Sequence, residues 1–148
     1  MVTYFIGINE IGRLYLTDLV LLSHGSFCKG IKESAEMILG PQKNIHTIDL
    51  KEGESPEHFQ KRFLNLVSSL ESFVVFTDIL GGTPYNVAYK SLLSAKNKFA
   101  LYTGMNLPMI ISYVNGELVS TTPNLTQDAK EGIKFVEAKY ENSSDDEF

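Results

Sequence analysis

A single cysteine, Cys28, stands among the 148 residues, so no disulfide within the chain staples the fold. The core must come from apolar packing, and 43% hydrophobic content is enough for one domain without structural metal. No apolar run is long enough to cross a bilayer, and no charged-then-apolar leader opens the chain. A cytoplasmic protein is expected. Basic residues are in the minority, 13 Lys and Arg against 18 Asp and Glu for a net charge of -5, and they are scattered. That argues against a phosphate-tracking surface, so nucleic acid is not an expected partner. Tandem repeats and Gly/Ser-rich linkers are also missing, and a single domain is implied.

What the chain does have is an alternation of apolar runs and helical stripes. Leu16 to Gly25 reads as a buried strand that ends on His24 beside a glycine. Phe27, Ile31, Ala35 and Ile38 then recur at helical spacing until Gly40-Pro41 stops the helix. Asn44 to Asp49 alternates as a half-buried edge strand. Ser55 caps a second helix, with Pro56 at its first position, Glu57 complementing the dipole, and Phe59, Phe63, Leu66, Val67 and Leu70 as its stripe. Phe73 to Thr77 is a third strand ending at Asp78, and Thr83 and Pro84 open a helix that runs through Ser94.

Lys98 to Thr103 reads as a fourth strand, and Gly104 to Pro108 repeats the plan of glycine turn and proline-opened helix. Asn115-Gly116 is a turn signal, followed by a helix over Leu125 to Glu131 and a last strand over Ile133 to Ala138. The pattern βαβαβαβ predicts an α/β fold with a doubly wound, mainly parallel sheet, strand order about 2-1-3-4. Residues 1–13 are an unassigned N-terminal extension, 14–140 the domain, and 141–148 an acidic flexible tail.

In that strand order His24 and Asp78 end neighbouring strands at the topological switch point, where ligands bind. A neutral imidazole has one nitrogen lone pair for attack, and a carboxylate on the other nitrogen fixes the tautomer and stabilises the charge that develops. His24 and Asp78 are therefore the candidate catalytic pair. Backbone N–H groups around Gly81, Gly82 and the helix start at Gly25 and Ser26, with the Thr83 hydroxyl, suit phosphoryl oxygens. This scheme uses no metal and no cofactor.

Three motifs carry a family resemblance: Ser23-His24-Gly25-Ser26-Phe27 with Gly30, Glu36-Met37-Ile38 and Gly40; Asp78 to Asn86 around Gly81-Gly82-Thr83-Pro84; and Thr103 to Pro108. Together they resemble the IIA component of the mannose family of the bacterial phosphoenolpyruvate-dependent sugar phosphotransferase system (PTS), from about Leu19 to Ala138. The resemblance implies a phosphotransferase in which His24 takes a phosphoryl group on Nε2 from the phosphocarrier HPr while Asp78 bonds Nδ1. The group then passes to a IIB component, which serves the membrane IIC/IID pair. It also implies a homodimer in which a C-terminal strand, by position Ile133 to Ala138, crosses to the partner's sheet. Cys28, Tyr85 and the N-terminal extension depart from the usual pattern.

Other residues have plainer readings. His46 and His58 are at no metal-ligand spacing and read as surface or structural residues. Cys28 is a small packed side chain. Competing functions are the phosphocarrier of a dihydroxyacetone kinase system, and a non-catalytic module binding a flavin or phosphate in the same crevice. A flavin site would want more hydroxyls than the loop after the first strand offers. A regulatory protein that signals through phosphorylated His24 would need the same chemistry as transport.

Overall fold

The computed structural model describes residues 17–96 and 98–138, so the expected extension over 1–13 and the acidic tail over 141–148 lie outside the described residues. Four strands, β1 (Asp18–His24), β2 (Ile45–Leu50), β3 (Phe73–Thr77) and β4 (Ala100–Thr103), pair in parallel in the order β2-β1-β3-β4. This is the expected sheet. Register pairs Leu19 with Ile45 and with Val74, and Thr77 with Thr103.

Because successive side chains of a strand point to opposite faces, the apolar run of β1 feeds two cores. Leu19 and Leu21 pack with α1 (Phe27–Leu39) and α4 (Leu107–Leu118), joined by Leu125 of α5 (Leu125–Glu131). Val20 and Leu22 pack with α2 (Pro56–Val67) and α3 (Thr83–Ser94) through Phe59, Phe63, Val87 and Ala88. Helix α1 leads outward from β1 to β2, and α3 leads the other way from β3 to β4. The connections therefore diverge between the two central strands.

Local signals account for most boundaries. Ser55 accepts the His58 N–H at 3.2 Å with Pro56 next, and α1 stops at Gly40, whose φ of 80° suits glycine. Four readings need correction. Asn115-Gly116 is no turn but lies inside α4, because a buried glycine there admits Pro123: a Cβ at Gly116 would sit 2.6 Å from the Pro123 Cδ. Helix α1 buries Ile31 and Ala35 as expected, together with Cys28, but the two ends of the expected stripe, Phe27 and Ile38, are exposed. Gly82, not Thr83, caps α3, leaving Thr83 in its first turn. Residues 133–138 form no strand in the chain's own sheet, and Ile133, Phe135 and Val136 are exposed.

An ion network ties β2 to both neighbouring helices. Arg62 of α2 donates to both Glu54 carboxylate oxygens at 2.9 and 3.0 Å and to the Asp49 carbonyl at 2.9 Å, while Lys29 of α1 meets Asp49 at 3.0 Å. Burial alone would raise both carboxyls. For Asp49 the hydrogen bond from Lys29 and the charge of Arg62 outweigh it, and for Glu54 the Lys51 N–H, His58 and Arg62 do so. Both groups are thus held below the ordinary carboxylate range.

Two stability predictions follow from these contacts. A lowered native pKa contributes stability that is fully present above the unfolded value of about 4 and is lost as pH falls through the native value. Denaturant melts from pH 7 to pH 3 should therefore show a stability decline that is shallower in Arg62→Ala, which lacks part of the linkage. Phe63→Ala, which empties a fully buried position touching Phe99 edge-on, should cost about 3–5 kcal/mol by urea denaturation.

Candidate functional site

Strands β1 and β3 run parallel, so their C-terminal ends deliver His24 and Asp78 to the same edge of the sheet, side by side. Asp78 Oδ2 accepts two hydrogen bonds from the same residue, one from the His24 backbone N–H and one from ring Nδ1, each 2.8 Å. Its other oxygen, Oδ1, accepts the Ile79 N–H at 2.8 Å, which prevents the carboxylate from turning. A carboxylate is an acceptor, so Nδ1 carries the proton and the neutral ring keeps its lone pair on Nε2. About half of the His24 side chain is exposed, whereas Asp78 is largely covered.

The loop after β3 wraps under the imidazole. Gly81 has φ of 79°, a left-handed conformation that favours glycine. Asn86 holds this loop, its Nδ2 donating to the Gly81 carbonyl at 3.0 Å and its N–H to the Gly82 carbonyl at 2.9 Å. Gly82 has an ordinary φ of -72°, but a Cβ there would lie 2.6 Å from His24 Cε1 and 3.4 Å from Nε2. Its glycine is required by the ring, not by the backbone. Thr83 follows in the first turn of α3, which has no side-chain cap, and Ser26 caps α1 likewise without a side-chain hydrogen bond. Gly25, with φ of 51°, turns the chain between His24 and Ser26.

All the residues singled out for the site thus lie between the end of β1 and the start of α1 (His24, Gly25 and Ser26) or between the end of β3 and the start of α3 (Asp78, Gly81, Gly82 and Thr83). The other histidines stand apart from the pair: His46 bonds Asp18 at the start of β1 at 2.7 Å, and His58 bonds Glu54 at 2.6 Å. Cys28 is fully buried, and burial pushes its thiol up despite the bond to Ser23, consistent with a packed side chain. Among the described residues no group of three or more His, Cys, Asp or Glu is disposed to hold a metal ion.

Sequence reasoning missed two features. One is Asn86 as the brace of the Gly81-Gly82 loop, for which its place one turn into a proline-opened helix was a signal. The other is the exposure of three large apolar side chains close to the pair in sequence: Phe27 at the start of α1, and Ile79 and Leu80 in the loop after Asp78. Phe27 falls in the expected helical stripe and the loop residues carry no periodicity, so the pattern did not mark them as exposed.

The family model described as "PTS system fructose IIA component" matches residues 18–130 of this chain. The chain belongs to that family. PTS IIA components have a phosphotransfer role in sugar uptake, and this one is of the mannose-type IIA family. The fructose-specific EIIA component of Bacillus subtilis is 29% identical over 103 residues, covering 68% of this chain and 70% of that protein. The mannose-specific EIIAB component of Escherichia coli is 26% identical over 132 residues; these cover 82% of this chain but 40% of that longer relative. Among solved structures, the PTS IIA protein associated with the fucose utilization operon of Streptococcus pneumoniae superposes with a TM-score of 0.72. It is 26% identical, and the match covers 82% of this chain and 93% of that one. No helix among the described residues of the IIA chain is long and apolar enough to cross a membrane.

Since the Gly82 backbone tolerates alanine, Gly82→Ala isolates the steric clash with the imidazole. We expect the variant to fold but to displace His24 from Asp78, seen as a changed imidazole nitrogen resonance for Nδ1 in 15N NMR at neutral pH.

Proposed function

We propose that His24 carries a phosphoryl group on Nε2, received from phospho-HPr and passed to a IIB component, which uses it for sugar uptake through a membrane IIC/IID pair. The observation behind this reading is the 2.8 Å bond between Nδ1 and Asp78, which commits the ring's exposed lone pair to Nε2. In the forward step the Nε2 lone pair forms a bond to phosphorus as the bond to the donor breaks. The ring becomes positively charged, and the Asp78 carboxylate compensates that charge through Nδ1–H. In the second step the acceptor nucleophile takes the phosphoryl group, and the electron pair of the P–N bond returns to Nε2.

Backbone N–H groups at Ser26 and Gly81 and the Thr83 hydroxyl would hold the phosphoryl oxygens, at the start of two helices whose dipoles favour negative charge. Of the donors expected from the sequence, Gly25 and Gly82 drop out, because the Gly25 N–H goes to the Leu50 carbonyl at 2.9 Å and the Gly82 N–H to the Ile79 carbonyl at 3.4 Å. The exposed Phe27, Ile79 and Leu80, close to His24 and Asp78 in sequence, would offer the partners apolar surface to desolvate against. That the Escherichia coli relative is an EIIAB component fits a IIB acceptor for this chain as well. In this reading the chain works in the cytoplasm as a homodimer. The exposed Ile133–Ala138 segment would add to the open edge of the partner's sheet at β4.

Incubation with phosphoenolpyruvate, enzyme I and HPr should add one phosphoryl group by intact-mass spectrometry at neutral or basic pH, and none to His24→Ala. Asp78→Asn should slow transfer by roughly 10²–10⁴-fold, since an amide does not hold the tautomer or compensate the charge. An unmodified native chain beside demonstrably phosphorylated HPr would overturn the reading.

A further inference from the structure

Ser23 is a fully buried polar residue one position before His24, and its hydroxyl makes two hydrogen bonds. It accepts the Cys28 N–H at 2.8 Å, in the first turn of α1, and donates to the Gly25 carbonyl at 3.0 Å. Strand alternation places Ser23 on the α1 side of the sheet with Leu19 and Leu21. His24 falls on the α3 side, as the approach of Gly82 to its ring requires. The Gly25 carbonyl is therefore drawn toward the α1 side, beneath His24.

In a trans peptide the C=O and the following N–H point in opposite directions, and no peptide bond among the described residues is cis. With its carbonyl held by Ser23, the Gly25–Ser26 unit turns the Ser26 N–H toward the side on which the imidazole stands. A flip of this unit would change ψ at Gly25, where no Cβ resists it and space is open, and would reverse the φ of -77° at Ser26. A flipped unit would present a carbonyl oxygen to an incoming anion in place of a donor. On the Gly25 side, where the backbone itself offers no resistance, the Ser23 hydroxyl holds the carbonyl in place.

We propose that Ser23 is a positioning residue for phosphoryl transfer: by holding the Gly25 carbonyl inward it aims the Ser26 N–H at the phosphoryl group on His24. This rests on the carrier reading above. Ser23 never meets the phosphoryl group and acts only through the peptide it orients. The first helix turn is fixed by the same hydroxyl through Cys28, so donor and helix start move as one unit.

The test uses 15N-labelled full-length protein phosphorylated through enzyme I and HPr. On phosphorylation of the native chain the Ser26 amide proton should move downfield as it gains a charged acceptor. Ser23→Ala should still take one phosphoryl group on His24, but about tenfold more slowly, the factor expected for one lost hydrogen bond to a charged group, and without the Ser26 shift. Ser23→Thr, which keeps the hydroxyl, should restore both. A Ser26 amide that stays put in fully phosphorylated native protein would overturn the proposal, and that measurement decides the matter even if Ser23→Ala does not fold. So would a folded Ser23→Ala variant that transfers at the native rate, or a folded Ser23→Thr that fails to recover. Native protein that takes up no phosphoryl group at all would instead overturn the carrier reading on which this one stands.

Discussion

One carboxylate oxygen, Oδ2 of Asp78, receives both the backbone N–H and the ring Nδ1 of His24, and the organisation of the site depends on that shared acceptor. A hydrogen bond to the ring alone would leave the imidazole free to swing with its backbone. A bond to the backbone alone would leave the tautomer open. Together they fix where the ring is, how it faces and which nitrogen holds the lone pair. The Ile79 N–H on Oδ1 removes the remaining rotation. Such an arrangement needs the ends of β1 and β3 side by side, which the strand order β2-β1-β3-β4 provides.

The surrounding structure supplies rigidity to that contact. Strand β1 is buried on both faces from Leu19 to Ser23, which prevents its end from moving relative to β3. The Gly82 backbone closes under the imidazole, and Asn86 holds the loop that brings it there. On the outer side, the Arg62 network with Asp49 and Glu54 anchors β2, whose Leu50 carbonyl accepts the Gly25 N–H at 2.9 Å. The turn that follows His24 is therefore gripped from the sheet edge as well as from beneath.

Much of this was legible in the sequence, for identifiable reasons. Phe73–Thr77 is bounded by polar residues and shows a sharp β-rich composition, so its limits and its terminal Asp78 could be read directly. The pairing of His24 with Asp78 followed from strand order, which the alternation of strands and helices constrains. Three of the misread positions share a cause: each meets a contact that its own helical or turn pattern does not encode. Gly116 packs against Pro123 seven positions on (123 against 116), the Cys28 N–H is held by Ser23 five positions before (28 against 23), and Gly82 meets an imidazole 58 positions earlier in the numbering (82 against 24). Local propensity carries no information about such contacts. The motif around Gly81-Gly82-Thr83-Pro84 suggested phosphoryl binding for both glycines alike, whereas the geometry separates them into a left-handed turn residue and a seat for the ring.

The half-exposed imidazole has a kinetic consequence. With Nδ1 committed to Asp78, one nitrogen keeps its lone pair, and in the proposed carrier role donor and acceptor must approach that same atom along the same path. Their complexes are then mutually exclusive, and the cycle is ping-pong, with the modified carrier released between two encounters. Tight binding of either partner would occupy the surface that the other needs. Turnover in such a relay is governed by how quickly each partner leaves, so short residence times serve it better than high affinity.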